Sequence, residues 1–292
     1  MNEEVILFEC CGDRLIGILH NPGSAGAGRG GRKLVVLNVV GGPQYRVGSH
    51  RQFVQTARHL ARTGYPVFRF DYRGIGDSDG HPRGFASVGA DIEAAIDAVH
   101  RRLPGREIVL MGLCDGASAV MMFVNQHPEL AGVVAINPWV RSASGQARTY
   151  VRHYYGRRLA SRDLWTKLLR MEVNFAAAIG GFVRTWLQQR SVEPEHQPDF
   201  IAAMLRGVRS SSTPLLVVLS GADLTAREFD ALTESNGDWG GVMNRSATSV
   251  KRLERADHTF STASDLEEFN NTLVGWLDEM AGIETHRGQK CH

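Results

Sequence analysis

The sequence has few cysteines and no long apolar run, and both absences narrow the classes of protein to which it can belong. Its 292 residues include four cysteines. Adjacent cysteines such as Cys10 and Cys11 rarely form a disulfide bond with each other, so the sequence does not indicate a disulfide scaffold. No stretch approaches the roughly 20 apolar residues of a membrane-spanning helix. The acidic N-terminal segment lacks the basic and then apolar order of a signal peptide. We therefore expect a cytoplasmic, reducing location and no integral membrane segment.

The sequence also has no large excess of positive or negative charge. Lys and Arg together number 33 and Asp and Glu number 31, which leaves a formal net charge of +2. This balance argues against a nucleic-acid-binding protein. The apolar content of 43% is ordinary and argues against disorder over most of the chain. A chain of this length can bury roughly three quarters of its unfolded surface in a large core.

Short apolar runs alternate with amphipathic helical patterns along most of the chain. Continuous apolar runs are typical of strands that are buried on both faces of a parallel sheet. Six such runs occur, at 34–38, 67–71, 107–112, 133–138, 215–219 and 249–253. Apolar residues with helical spacing occur at 53–60, 88–99 and 266–277. Weak alternation around Cys11-Gly12-Asp13 indicates an antiparallel hairpin at the edge of the sheet. The whole pattern predicts an α/β fold with a mostly parallel, twisted sheet flanked by helices.

Two stretches interrupt this alternation. Residues 22–32 are rich in glycine, and we expect a flexible connector there, because a phosphate-binding loop would follow a strand and end in Gly-Lys-Ser/Thr. Residues 141–208 separate two predicted strands by far more than an ordinary connection does. They carry helical patterns, which favours an inserted helical cap. The predicted domains are therefore a core of residues 1–140 and 209–284, a cap at 141–208 and a disordered tail at 285–292.

The segment Gly112-Leu113-Cys114-Asp115-Gly116 lies between a predicted buried strand and a predicted helix. This context is typical of a nucleophile elbow, here with cysteine in the place of the commoner serine. Small flanking residues let the strand and the helix approach each other, and a helix N-terminus stabilises a thiolate. Cys114 is therefore the predicted nucleophile. The carboxylate of Asp115 disfavours a thiolate unless it points away and caps the helix, which is the interpretation that we favour.

A nucleophile of this kind needs a histidine base and an acid that orients the histidine. In this architecture the order along the chain is nucleophile, acid, histidine. Asp223 and His258 follow the last two predicted strands, and the carboxyl ends of parallel strands lie along one edge of a sheet. The predicted catalytic residues are therefore Cys114, Asp223 and His258. Asp257 is the second candidate for the acid, and Asp223 has the alternative role of a helix cap.

Backbone N–H groups are expected to stabilise the oxyanion that forms during acyl transfer. The residue after the nucleophile, Asp115, supplies one N–H group. The loop after the first central strand supplies the other, from Gly42, with Gly41 and Gln44 as alternatives because Pro43 has no N–H group. The Gly-Gly-Pro sequence is also common in ordinary turns.

Through these motifs, the sequence resembles the α/β-hydrolase superfamily, and the resemblance covers nearly the whole chain. The loop from Asp71 to Gly80 is similar to the Asp-x-Arg-Gly-x-Gly-x-Ser motif of that superfamily. The same loop misses a dinucleotide-binding fingerprint by one residue, so we expect a structural loop, no cofactor and no metal. Segments 41–51, 112–116 and 220–226 resemble the first type of exosortase-A-system-associated hydrolase, which is found beside bacterial exopolysaccharide and protein-sorting gene clusters. The resemblance implies an α/β-hydrolase fold, although Cys114 replaces serine and no His-Gly precedes the oxyanion loop.

The function that follows is hydrolysis of an ester or thioester of a small-molecule acyl substrate through an acyl-enzyme on Cys114. The alternatives are an acyltransferase that uses the same three residues and a non-catalytic binding module. Residues 141–170 contain eight basic residues and a single acid. They form either a solvated helical face or an electropositive cap that attracts an anionic part of the substrate or a membrane surface.

Overall fold

The computed structural model of this chain describes residues 2–22, 33–42, 44–140 and 200–282. Residues up to 140 and from 200 onward belong to one compact unit. Almost all of the predicted connector at 22–32 lies outside the described residues, and so do residues 141–199 of the predicted cap with its basic cluster. The predicted tail at 285–292 lies outside them as well.

A sheet of eight strands forms the centre of the described chain. The strands are β1 (Asn2–Cys10), β2 (Asp13–Asn21), β3 (Leu34–Val39), β4 (Val67–Asp71), β5 (Glu107–Leu113), β6 (Gly132–Ile136), β7 (Leu215–Ser220) and β8 (Thr248–Leu253). Their order across the sheet is β1-β2-β4-β3-β5-β6-β7-β8. Across β4-β3-β5-β6-β7-β8, every pair of neighbouring strands is parallel, whereas β2 is antiparallel to both of its neighbours. The mostly parallel sheet predicted from the sequence is therefore confirmed, and all six apolar runs form strands.

Burial explains why the central strands have continuous apolar sequences. Every residue of β3, β4, β6 and β7 is buried, because helices cover both faces of the middle of the sheet. By contrast, β8 is mostly exposed or half-buried at the edge of the sheet. This position accounts for the weaker apolar pattern of the last strand.

The first two strands form the predicted hairpin at the sheet's edge. Cys10 pairs with Asp13, so that Cys11 and Gly12 make a two-residue turn. Both turn residues have positive φ, 52° and 87°. Positive φ at both positions is required in the type I′ turn that suits the twist of a hairpin.

The helices lie between the strands, as the alternating pattern predicts. They are α1 (Gln52–Arg62), α2 (Gly89–Arg102), α3 (Asp115–Phe123), α4 (Phe200–Arg209), α5 (Leu224–Ser235), α6 (Gly237–Met243) and α7 (Ala263–Met280). The three helical patterns identified in the sequence form α1, α2 and α7. None of the helices in the described residues is both long and apolar enough to cross a membrane.

The end of the predicted insertion belongs to the core. A Cβ atom at Gly207 of α4 would lie 2.1 Å from the carbonyl oxygen of Met121 in α3, so these two helices are in close backbone contact. Met204 and Val208 of α4 are also buried in the core. The predicted cap stays a prediction for residues 141–199, which are not described.

Candidate active site

Cys114 lies in a sharp turn between β5 and α3. Its backbone angles are φ 60° and ψ −124°, a combination that residues with a side chain adopt only when the surrounding structure enforces it. The Cys114 N–H group donates to the carbonyl oxygen of Ile136 at 2.9 Å, and its carbonyl oxygen accepts from the Ser118 N–H group at 3.1 Å. Strand β6 and the first turn of α3 thus hold the turn, and the predicted strand, turn and helix are present.

The two glycines that flank this turn have no room for a side chain. A Cβ atom at Gly112 would lie 2.3 Å from the carbonyl oxygen of Gly116, and one at Gly116 would lie 2.7 Å from the carbonyl oxygen of Val39. Real Cβ atoms do not approach backbone atoms so closely. The glycines therefore let α3 begin directly against β5 and β3, which aims its N-terminus at the turn.

Asp223 and His258 are brought together by the loops after β7 and β8. The distance between His258 Nδ1 and Asp223 Oδ2 is 2.7 Å. The Asp223 carboxylate is buried, and it also accepts the N–H groups of Thr225 at 3.2 Å and Ala226 at 3.1 Å. Asp223 therefore caps α5, which was the alternative considered from the sequence, and it also contacts the histidine, while its role as the catalytic acid stays a prediction.

The second candidate acid, Asp257, bonds within its own loop. Its carboxylate accepts the N–H groups of Thr259 at 3.1 Å and Ser261 at 3.0 Å, together with the Ser261 hydroxyl. These bonds shape the turn that carries His258 towards the carboxyl edge of the sheet. The histidine itself has Asp223 as its carboxylate partner.

Sequence reasoning missed Asn137 and His50, which support the loop of His258. Asn137 is fully buried at the end of β6, with a φ of 46°. Its amide donates to Ser220 Oγ at 3.0 Å and to the His258 carbonyl oxygen at 3.1 Å, and it accepts the Ser220 N–H group at 2.8 Å. On another side, His50 Nε2 lies 3.1 Å from Thr259 Oγ1. An asparagine directly after a buried strand was the available indication for Asn137.

The Asp115 carboxylate lies at the loop after β3 as well as at its own helix. Its Oδ1 atom accepts the N–H group of the neighbouring Gly116, in the first turn of α3, at 3.1 Å. Burial raises the pKa of Asp115 to about 6, while the backbone N–H groups of Gly42, Asp115 and Gly116 and the nearby charge of His258 act in the opposite direction.

The loop from Asp71 to Gly80 is structural, as expected. The buried Asp71 carboxylate accepts the backbone N–H group of Arg46 at 2.6 Å and that of Asp77 at 3.1 Å, and it also pairs with the Arg46 guanidinium group. The Ser78 hydroxyl donates to the Asp71 carbonyl oxygen at 2.7 Å. Through Arg46, this loop fixes the segment that follows the loop after β3. In the described part of the chain, no three His, Cys, Asp or Glu side chains form a group that could hold a metal ion.

Comparisons with known proteins agree with this architecture. A family model described as serine aminopeptidase, S33, matches residues 46–177, a segment that includes the Cys114 turn. An esterase from Pyrococcus furiosus is 17% identical with a TM-score of 0.65, over 96% of this chain and 92% of that one. An α/β hydrolase from Penicillium sp. sh18 is 16% identical with a TM-score of 0.64, over 97% and 100%. A serine hydrolase homologue from Coxiella burnetii is 16% identical with a TM-score of 0.60, over 95% and 98%.

No curated protein matches the sequence significantly. The matching family model describes a serine enzyme, whereas Cys114 occupies the turn between β5 and α3 in this chain. The likeness to the solved structures extends over nearly the full length of each chain. From the strand order, the turn after β5 and these likenesses, it follows that the chain has the α/β-hydrolase fold.

Proposed function

We propose that this chain hydrolyses esters or thioesters, with Cys114 as the nucleophile, His258 as the base and Asp223 as the acid that orients His258. The observation that carries the proposal is the 2.7 Å contact between His258 Nδ1 and Asp223 Oδ2. It occurs beyond the carboxyl ends of two parallel strands, the edge at which the strained Cys114 turn also lies. The similarity to esterases and serine hydrolases supports the same reaction class.

The contact with Asp223 at Nδ1 leaves Nε2 of His258 to take the thiol proton of Cys114. The sulfur then attacks the carbonyl carbon, and the C=O electron pair moves to the oxygen, which the N–H groups of Gly42 and Asp115 stabilise. When this intermediate collapses, the bond to the leaving alcohol or thiol breaks, and the leaving group takes the proton from His258. Water next attacks the thioester with His258 as base, which releases the acid and returns the proton to the sulfur of Cys114.

The environment of the nearest serine favours cysteine as the nucleophile. Ser118, one turn further along α3, is fully buried, and its hydroxyl donates to the carbonyl oxygen of Trp139 at 2.7 Å. Cys114 is half-buried and forms no disulfide bond with another cysteine of the described residues. A thiolate nucleophile works only while it is reduced, which supports a reducing, cytoplasmic compartment.

The substrate class is narrowed by two features of the sequence. The three segments that resemble exosortase-A-system-associated hydrolases support a role in bacterial exopolysaccharide or exosortase-associated metabolism. The eight basic residues within 141–170 support a substrate with an anionic portion. If these charges attract the substrate, added salt lowers turnover of charged substrates and leaves that of neutral esters unaffected, and an equal salt response contradicts an anionic substrate.

Intact-mass measurement with panels of esters and thioesters tests the proposal. Wild type is expected to release free acid and to gain the mass of an acyl group, and Cys114→Ala is expected to do neither. Cys11→Ala is the matched control, because Cys11 is exposed in the hairpin turn and takes no part in the reaction. An adduct that persists in Cys114→Ala, or a wild type that turns over none of the panel, contradicts the proposal. Acylated product in place of free acid, when amines or alcohols are added, identifies an acyltransferase instead.

A second variant separates the nucleophile from the rest of the site. Cys114→Ser keeps His258 and Asp223 and presents a hydroxyl in the same turn. Iodoacetamide is expected to abolish the activity of wild type and to leave the residual ester hydrolysis of Cys114→Ser unchanged. Equal inactivation of both proteins would assign the sensitive thiol to another cysteine.

A further inference from the structure

The loop after β6 supplies no residue of the proposed reaction, yet it contacts the segments that carry all three. Strand β6 lies between β5 and β7, so this loop adjoins the turn of Cys114 on one side and the strand that leads to Asp223 on the other. On the first side, the Cys114 carbonyl oxygen accepts the Trp139 N–H group at 3.2 Å. On the other side, the Asn137 N–H group donates to the carbonyl oxygen of Val218 at 2.9 Å.

The side chain of Asn137 joins the segments that carry Asp223 and His258. Its amide oxygen accepts the Ser220 N–H group at 2.8 Å, and its amide nitrogen donates to Ser220 Oγ at 3.0 Å and to the His258 carbonyl oxygen at 3.1 Å. The Ser220 carbonyl oxygen in turn accepts the Asp223 N–H group at 3.2 Å. Both donor positions of the amide are used, and one buried side chain connects the segments of the acid and the base.

Few residue types can occupy position 137 in this way. The backbone there has a φ of 46°, which glycine, asparagine and aspartate adopt more readily than other residues do. The His258 carbonyl oxygen requires a donor and the Ser220 N–H group requires an acceptor, so the side chain must offer both at its tip. Asparagine meets both requirements, and burial makes it costly to leave any of these groups without a partner.

The imidazole of His258 needs this support because its loop lies at the surface. The His258 side chain is 31% exposed, and the contact with Asp223 fixes it at Nδ1. The loops after β7 and β8 also meet where the Ala222 N–H group donates to the Ala256 carbonyl oxygen at 3.0 Å, two residues before His258. The bond from Asn137 fixes the backbone of His258 itself, so the residue is held both at its ring and at its main chain.

We propose that Asn137 is a positioning residue, which holds His258 at the distance and angle from Asp223 that proton transfer requires. The inference rests on the proposed function and deepens it. A displacement of about 1 Å in an active site can lower the rate about 10²-fold, because the reaction depends on the alignment of the reacting groups. Since Asn137 acts on the base and not on the substrate, its loss is expected to lower kcat and to change KM little.

Asn137→Gly tests this role, since glycine keeps the left-handed backbone and removes only the side chain. It is expected to lower kcat for an ester or thioester about 10²-fold and to change KM by less than about threefold. Tyr65→Phe is the matched control, because the Tyr65 hydroxyl donates to Asp278 Oδ1 at 2.5 Å in a buried hydrogen bond before β4, at the amino ends of the parallel strands. The control also loses a buried hydrogen bond, and it is expected to leave kcat unchanged. A kcat of Asn137→Gly that is no lower than that of Tyr65→Phe overturns the inference.

A second variant decides the question if the glycine variant does not fold. Asn137→Asp keeps a side chain that tolerates the positive φ and an oxygen that accepts the Ser220 N–H group, but an ionised carboxylate has no hydrogen to donate to His258. At pH 8 it is expected to lose kcat to the same extent as Asn137→Gly. Ser220→Ala makes the opposite change, because it removes the Oγ acceptor and keeps both main-chain partners of the amide, and its kcat is expected to stay within about twofold of wild type. A wild-type kcat in Asn137→Asp overturns the inference.

A spectroscopic readout keeps this inference separate from the proposed reaction. The Nδ1–H proton of a histidine that is hydrogen-bonded to a carboxylate gives a low-field NMR signal while its exchange with water is slow. The signal of His258, assigned by its loss in His258→Gln, is expected in wild type and in Tyr65→Phe and is expected to disappear in Asn137→Gly. An unchanged signal in Asn137→Gly overturns the inference. If wild type hydrolyses no ester or thioester, the proposed function fails, while the proton signal still decides whether Asn137 holds His258 against Asp223.

Discussion

The carboxylate of Asp223 contacts His258 and the first turn of α5 at the same time. Its Oδ2 atom lies 2.7 Å from His258 Nδ1 and 3.1 Å from the Ala226 N–H group, while Oδ1 accepts the Thr225 N–H group. One side chain therefore fixes both the orientation of an imidazole and the start of a helix. An asparagine oxygen can still accept an N–H group at the start of α5, whereas the asparagine nitrogen cannot accept a hydrogen bond from His258. The two roles are therefore separable by mutation.

Replacement of Asp223 by asparagine is expected to lower kcat/KM by about 10²–10⁴-fold, since His258 loses the acceptor that holds its tautomer. The asparagine oxygen still caps α5, so the free energy of unfolding is expected to change little. Asp223→Ala loses both contacts and is expected to be less stable than the asparagine variant by about 1 kcal/mol. Steady-state kinetics and urea denaturation of the two variants measure these effects. If Asp257→Asn caused the larger loss of kcat/KM, Asp257 would be the orienting acid instead.

The sequence was sufficient to predict the sheet, because its central strands are mostly apolar and the fold buries every residue of β3, β4, β6 and β7. The β1–β2 hairpin was predictable for a similar reason, since Cys11 and Gly12 are the turn between two matched strands. The positions of Asp223 and His258 followed from their places after the last two strands, together with the rule that active sites in parallel sheets lie at the carboxyl ends.

Other features depend on contacts between distant segments, which no local pattern encodes. Asn137 supports His258 across 121 positions of sequence, and His50 contacts Thr259 across 209. The direction of the Asp115 side chain depends on the space left by Gly41 in another loop. The favoured interpretation from the sequence was a helix cap, whereas the N-cap residue of α3 is Cys114 and the Asp115 carboxylate accepts the N–H group of its neighbour Gly116.

Alanine at Gly112 is expected to disrupt the Cys114 turn. The added Cβ atom would lie 2.3 Å from the carbonyl oxygen of Gly116, so the strand and α3 must separate, at a cost of about 1–3 kcal/mol in unfolding free energy. The displacement of Cys114 is expected to lower kcat/KM as well. Gly275→Ala is the matched control, because Gly275 lies within α7 with no atom within 4 Å of an added Cβ. It is expected to stabilise the protein by about 0.5–1 kcal/mol, and equal effects of the two substitutions in urea denaturation would contradict the close approach at Gly112.

The ion pair between Arg73 and Asp91 is expected to contribute strongly to stability. The Arg73 guanidinium group donates to both oxygens of Asp91 at 2.9 Å, and both side chains are buried. Arg73→Ala leaves a buried carboxylate without its partner, and the expected loss is about 3–5 kcal/mol. Arg102→Ala removes the exposed pair with Glu4, for which the expected loss is about 1 kcal/mol or less. Urea denaturation at neutral pH compares the two variants, and a loss at Arg73 no larger than that at Arg102 would mean that water reaches Asp91.

The raised pKa of Asp115 predicts how the stability of wild type depends on pH. Burial is the main cause of the rise from 3.8 to about 6. Because the folded state binds this proton more tightly than the unfolded state, its contribution to stability is complete below pH 3.8 and is lost as the pH rises through 6. The rise corresponds to about 3 kcal/mol. Asparagine at position 115 has no such proton, so the unfolding free energy of Asp115→Asn relative to wild type is expected to increase between pH 4 and pH 7. Urea denaturation of both proteins across this range measures the difference, and parallel pH profiles would mean that the Asp115 carboxylate is solvated and that its pKa is ordinary.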